Sequence, residues 1–176
     1  MRNLHNLDAK KSIRLRKLIF DESNSAASDR LFTYIMFSGF VLISLCIILD
    51  IVASNEVSFS LIFPFLIMIF GLRGLYCQFT EMNLREIRTD ILPEEIKKKL
   101  TDYSKRKKYM LYQATDYLFF LNEPTHEGFS GYEQTTFIFI IEGKILYTLL
   151  KETTRFNTPV LFAQYFKARD LKRILR

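Results

Sequence analysis

The sequence predicts a two-helix transmembrane hairpin joined to a small cytoplasmic α+β domain of about five strands. Three observations carry that prediction. Two uncharged apolar runs, residues 31–49 and 57–72, lie on either side of a short polar turn. All 25 lysines and arginines fall outside those runs and that turn. From Tyr109 onward the apolar residues cluster into short, aromatic and β-branched runs of strand length.

Residues 1–30 form a basic cytoplasmic segment. Within it, SIRLRKLIF mixes Ile13, Leu15 and Ile19 with Arg14, Arg16 and Lys17. At period two this is an edge strand; at helical period it is a basic amphipathic segment resting on the inner leaflet. The residues leave both readings open. DESNSAASD follows as a loop, with Ser28 or Asp29 placed to cap the first span.

The first span covers residues 31–53. Its uncharged core, LFTYIMFSGFVLISLCIIL, reaches about 28 Å as a helix, close to the roughly 30 Å hydrocarbon core of a bilayer. Thirty residues precede it and no A-x-A pattern follows, which argues against a cleaved signal peptide. Residues 54–56 form a short periplasmic turn, and residues 57–79 form the second span. Seven basic residues precede the first run and eighteen lie from Arg73 onward, so the positive-inside rule puts both termini in the cytoplasm.

Arg73 interrupts the second span. In a hairpin turning near residue 55 it lies level with Ser38 and Gly39, near the cytoplasmic face. Asp50 lies near the outer face, roughly 18 Å away in depth, too far to pair with it. Arg73 is therefore read as a membrane-interface anchor whose long stem reaches the headgroups, in preference to a buried functional charge. Gly71 and Gly74 flank it and leave room for a neighbouring backbone, without forming a G-x-x-x-G motif.

Residues 80–176 form the cytoplasmic α+β domain. Met82, Leu84, Ile87 and Ile91 recur at helical spacing and extend the second helix beyond the membrane. LPEEIKKKL starts a fresh helix, with Pro93 in its first turn and Glu94 and Glu95 near its positive end. YMLYQ, DYLFFL, TTFIFII and KILYTLL read as strands, with Glu142-Gly143-Lys144 as a tight turn between the last two. PVLFAQYF reads as the fifth strand and ARDLKRILR as a closing basic helix. Residues 122–134 make the longest loop, which holds His126.

The chain carries little that points to catalysis. His5 and His126 are far apart, and HEG at 126–128 does not extend to H-E-x-x-H. There is no G-x-S-x-G, P-loop or dinucleotide fingerprint. Glu123, Glu127 and Glu133 share the long loop and read as a solvated acidic cluster. Both cysteines, Cys46 and Cys77, fall in apolar stretches, which argues against a disulfide framework or thiolate metal site. No catalytic, cofactor or metal residue is assigned, and the chain is read as non-enzymatic.

The net charge of +6 points to anionic partners. The densest basic run is Lys105, Arg106, Lys107 and Lys108, followed directly by YMLY. A solvated helix end ranks first for it. Contact with anionic lipid, at roughly 1 kcal/mol per residue near the surface, ranks second. Nucleic-acid binding by phosphate contact and stacking ranks last.

The order of parts, spans at 31–53 and 57–79 and then an α+β domain, resembles the small two-span effectors of bacterial antiviral systems, of the retron or cyclic-nucleotide kind. The resemblance carries no residue roles. It implies a bacterial inner-membrane protein that permeabilises the membrane and arrests growth after infection. It also implies a cytoplasmic regulatory protein or nucleoprotein partner encoded nearby. Two spans cannot enclose a pore alone, so that reading requires a homo-oligomer. A second resemblance, to bacterial membrane proteins with a pleckstrin-like sheet after two spans, is limited by the absence of Trp. The other reading of the plan is a non-toxic anchor that recruits a soluble partner to the inner leaflet.

Overall fold

The computed structural model describes residues 6–21, 24–54, 59–123, 133–152 and 163–175. A short helix α1 (Ala9–Leu15) precedes two long apolar helices, α2 (Asn24–Ala53) and α3 (Ile62–Thr80). Both are long and apolar enough to cross a membrane by length and composition. Only 11% and 28% of their most apolar windows are buried, so neither is enclosed in the manner of a soluble core helix. Leu31, Ile35, Leu42, Ile43, Leu49, Leu66 and Ile69 all face outward.

α2 begins seven residues before residue 31, so Ser28 and Asp29 lie within the helix and do not cap it. Once a helix is nucleated, each added residue costs little, and the Asp29 carbonyl accepts the Thr33 hydroxyl at 2.8 Å inside it. α3 starts later than residue 57, after a 3₁₀ turn at Phe59–Leu61. The two helices pack against each other, with Gly71 and Gly74 of α3 set against Phe37, Phe40 and Val41 of α2. A Cβ added to Gly74 would run into the Phe37 ring, and one added to Gly71 would lie 2.9 Å from the Val41 side chain. Phe37, Phe40 and Phe70 cluster at this seam with ring centroids 5.8–6.3 Å apart.

The remaining elements are β1 (Arg85–Arg88), α4 (Pro93–Lys107), β2 (Met110–Thr115), β3 (Leu118–Glu123), β4 (Glu133–Ile141), β5 (Lys144–Glu152) and α5 (Ala163–Ile174). The strands form one five-stranded sheet in the order β1-β5-β4-β3-β2, every neighbouring pair antiparallel. β4 and β5 are joined by Glu142-Gly143, pairing Ile141 with Lys144. Gly143 sits at φ 73°, which a side chain would resist.

Among the described residues the fifth strand is β1; residues 159–162 of PVLFAQYF lie outside them. Within that stretch the described part, from Ala163, is already helix α5. The apolar residues after α3 likewise do not continue it. Leu84 packs in one apolar cluster and Ile87 in the other, on opposite faces of the sheet. SIRLRKLIF is helical as far as Leu15, so Ile13 and Leu15 do not form an edge strand, and the chain then makes one isolated antiparallel bridge at Lys17.

Each face of the sheet is covered. On one, Phe119, Leu121, Ile138, Ile140 and Ile145 meet Ile96, Leu100 and Tyr103 of α4 and Leu171 of α5. On the other, Leu118, Phe137, Phe139, Leu146 and Leu150 meet Leu18, Leu84 and the partly buried Leu7, Ile13, Phe20 and Met82. The segment that precedes the apolar hairpin thus completes the sheet that follows it.

Candidate functional site

The strongest candidate is the junction where the apolar hairpin meets the sheet. Asp8 caps α1, its Oδ1 accepting the Lys11 N–H at 2.9 Å. α1 stops at Arg16, which adopts the left-handed conformation at φ 51°, and the chain turns back. The buried Ser12 hydroxyl oxygen then accepts the Ile19 N–H at 2.9 Å, holding residues 17–20 beside the helix.

This returning segment acts as a strap on the connection between α3 and β1. The Leu18 N–H donates to the Met82 carbonyl at 2.9 Å, and the Leu84 N–H donates to the Arg16 carbonyl at 2.8 Å. Between those two bonds Lys17 faces Asn83 as an antiparallel bridge. Arg16 pairs with Glu86 at 3.0 Å. A hydrogen bond from Arg88 and the nearby Arg16 charge hold the Glu86 carboxyl below its usual range.

α2 starts six residues after Leu18 and α3 ends two residues before Met82, so the strap fastens both near ends of the hairpin to the sheet. A further tie joins α3's exit to β5: the buried Thr148 hydroxyl donates to the Glu81 carbonyl at 2.7 Å. Gln78, on the last turn of α3, is only 4% exposed, and among the described residues neither Nε2 nor Oε1 has a hydrogen-bond partner. Such a buried amide costs about 1–3 kcal/mol.

Arg73 lies on α3 and is exposed, with its guanidinium carbon 5.7 Å from the centre of the Tyr76 ring. Lys105, Arg106 and Lys107 form the last turn of α4, and Lys108 caps it in the left-handed conformation. All four are exposed. α4 packs on β2, β4 and α5, whereas α3 packs on α2, so Arg73 and this basic run belong to different parts of the fold.

A second polar cluster lies under α5. Lys167 is 5% exposed and pairs with Glu123 at the end of β3. Its ammonium lies 4.7 Å from the Tyr109 ring centre and 5.8 Å from that of Tyr103. The Tyr103 hydroxyl donates to Asp170 at 3.1 Å. Burial, then the carboxylates Asp170 and Glu123, push both tyrosine hydroxyls above their ordinary range. These groups satisfy one another, and the cluster reads as a buried ionic staple between sheet and helix.

Of the three loop carboxylates, Glu123 is thus an ion-pair partner and Glu133 begins β4. Glu127 and His126 lie outside the described residues. Among the described residues no group of three or more His, Cys, Asp or Glu side chains is placed to hold a metal ion. Sequence reasoning passed over the strap and Lys167. The signal for Lys167 was its place three residues after Gln164 and four before Leu171, on the buried stripe of α5.

Comparison with known protein families, curated proteins and solved structures gives no match.

Proposed function

We propose that this chain is a membrane protein whose sheet domain controls the assembly of its hairpin, acting on the bilayer rather than on a small-molecule substrate. The observation that carries this reading is the strap. It joins residues before α2 to residues after α3, so a change in the sheet domain reaches both near ends of the hairpin together. The outward apolar surface of α2 and α3 supports bilayer insertion, because a soluble monomer rarely exposes so large an apolar surface. With the hairpin inserted, the strap and sheet lie on one side, which the positive-inside rule makes cytoplasmic.

The resemblance to two-span antiviral effectors gives the expected outcome of assembly, which is permeabilisation and growth arrest. A non-toxic anchor is the second reading, favoured by the exposed aromatic pair Tyr165 and Phe166 on α5.

A lockable strap tests the proposal. Lys17 and Asn83 form the non-hydrogen-bonded kind of antiparallel pair, the closer kind, which suits a disulfide. Lys17→Cys with Asn83→Cys, in a Cys46→Ala and Cys77→Ala background, is reconstituted into dye-loaded anionic liposomes. Dye release is expected from the reduced form and not from the oxidised form. Equal release from both would remove the strap from the mechanism. If no form, in liposomes or in infected cells, permeabilises a membrane, the anchor reading replaces the effector reading.

A further inference from the structure

The two edges of the sheet are unlike. The β1 edge is short and charged, carrying Arg85, Glu86 and Arg88, and the strap bonds to the chain directly before it. The β2 edge runs for six residues, MLYQAT, without a charge. Met110 and Tyr112 on it are 71% and 63% exposed. Among the described residues nothing pairs with its outer side. Proteins ordinarily guard such an edge with charge, proline or a covering element. Here the only guard within the strand is a bulge between Gln113 and Thr115, at its far end.

We propose that the β2 edge pairs antiparallel with β2 of a second copy, extending the sheet across a two-fold axis at Tyr112. Three features select this occupant. First, an antiparallel self-pair must bring outward-facing residues opposite outward-facing residues, so its axis passes through a residue rather than between two. Second, the axis at Tyr112 sets Leu111 against Gln113, as far as the bulge, and brings the Lys105–Lys108 end of one copy toward Asp116 of the other. A parallel pair would instead crowd the two basic clusters together. Third, Tyr112 already stacks on Phe120 with a 9° interplanar angle, so its ring is set on the sheet and ready to meet its twin.

The strand is short, so the contact is weak in solution. Confinement of the hairpins in one bilayer raises the local concentration, and in that respect the inference rests on the membrane reading. It supplies the assembly contact that the proposed function needs.

The test uses the full chain in detergent and in liposomes, in the Cys46→Ala and Cys77→Ala background. Tyr112→Cys is expected to form a disulfide-linked dimer on mild oxidation, and Arg88→Cys on the opposite edge is expected not to. Tyr112→Lys, which sets like charges across the axis at an exposed position, is expected to weaken self-association at least tenfold, whereas Tyr112→Phe, which keeps the stack on Phe120, is expected to retain it. Failure of Tyr112→Cys to cross-link, equal cross-linking at Arg88→Cys, or undiminished association of Tyr112→Lys would each overturn the edge pairing. Cross-linking without membrane permeabilisation would leave the edge intact and sink the effector reading alone. Permeabilisation without cross-linking would do the reverse.

Discussion

The two faces of the sheet are covered by different means. α4 and α5 lie on one face, and each adjoins in sequence the strands or loops of the sheet domain. The other face takes its cover from residues 7–20, which are separated from every strand by the whole hairpin. The first face can close as soon as the sheet domain is made. The second closes only when the hairpin has brought its two ends together. The proposed function requires hairpin formation and completion of the sheet to be one linked event, with a disturbance of the sheet passing back to the hairpin.

Matched buried charges break this comparison most severely. Ile140→Asp places an unpaired carboxylate under the helices, and Leu18→Asp places one under the strap. Each is expected to cost on the order of 3–5 kcal/mol, comparable to the stability of a small domain. Denaturant unfolding in detergent, followed by the near-ultraviolet signal of the tyrosines, measures both. If Leu18→Asp leaves the transition unmoved while Ile140→Asp abolishes it, the strap is a surface attachment and the linkage is lost.

A milder test acts from the hairpin side. Gly74→Ala forces the Phe37 ring to move, a repacking expected to cost about 1–3 kcal/mol at the seam. Spin labels at Leu42 and Ile69 would show a broadened distance distribution. A seam independent of the sheet would leave sheet unfolding within about 0.5 kcal/mol of wild type. The strap predicts a larger change than that. Smaller still is Ser12→Ala, which leaves the Ile19 N–H without its acceptor and is expected to cost about 1 kcal/mol in the same unfolding measurement.

What the sequence made legible follows from the range of the physics involved. α4 was announced locally by Pro93, Glu94 and Glu95, and the β4–β5 hairpin by Gly143 between two apolar runs. β1 was hidden because Leu84, Ile87 and Ile91 fit a helical period as well as they fit opposite faces of a short strand. The second half of α5 was legible as ARDLKRILR, but its start at Ala163 was hidden because Lys167 interrupts its apolar stripe, and only Glu123, forty-four residues earlier, explains a lysine there. The strap could not be read at all. Its bonds from Leu18 and Leu84 are main-chain contacts across more than sixty residues, and no side-chain pattern encodes them. The basic run at Lys105–Lys108 was legible as a helix end, whereas the bare edge of β2 beside it emerged only when the strand order was known.

The finest test of the two faces uses a pair of residues matched in backbone and mismatched in surroundings. Arg16 ends the helix of the strap face at φ 51°, ψ 35°, and Lys108 ends the helix of the other face at φ 56°, ψ 35°. Both hold a left-handed conformation that costs a residue with a side chain roughly 1 kcal/mol relative to glycine. Lys108 is exposed, and its role in the cap is carried by its backbone N–H, so Lys108→Gly is expected to stabilise by about 0.5–1 kcal/mol. Arg16→Gly gains the same backbone relief but loses the pair with Glu86, an ion pair screened by solvent. Its net effect is expected near zero at low salt and stabilising at high salt, where the lost pair matters less. Parallel denaturation series at two salt concentrations read the difference. If Arg16→Gly instead destabilises strongly at both, the side chain holds the strap by more than its charge. The strap face would then depend on this one residue in a way the helix face does not.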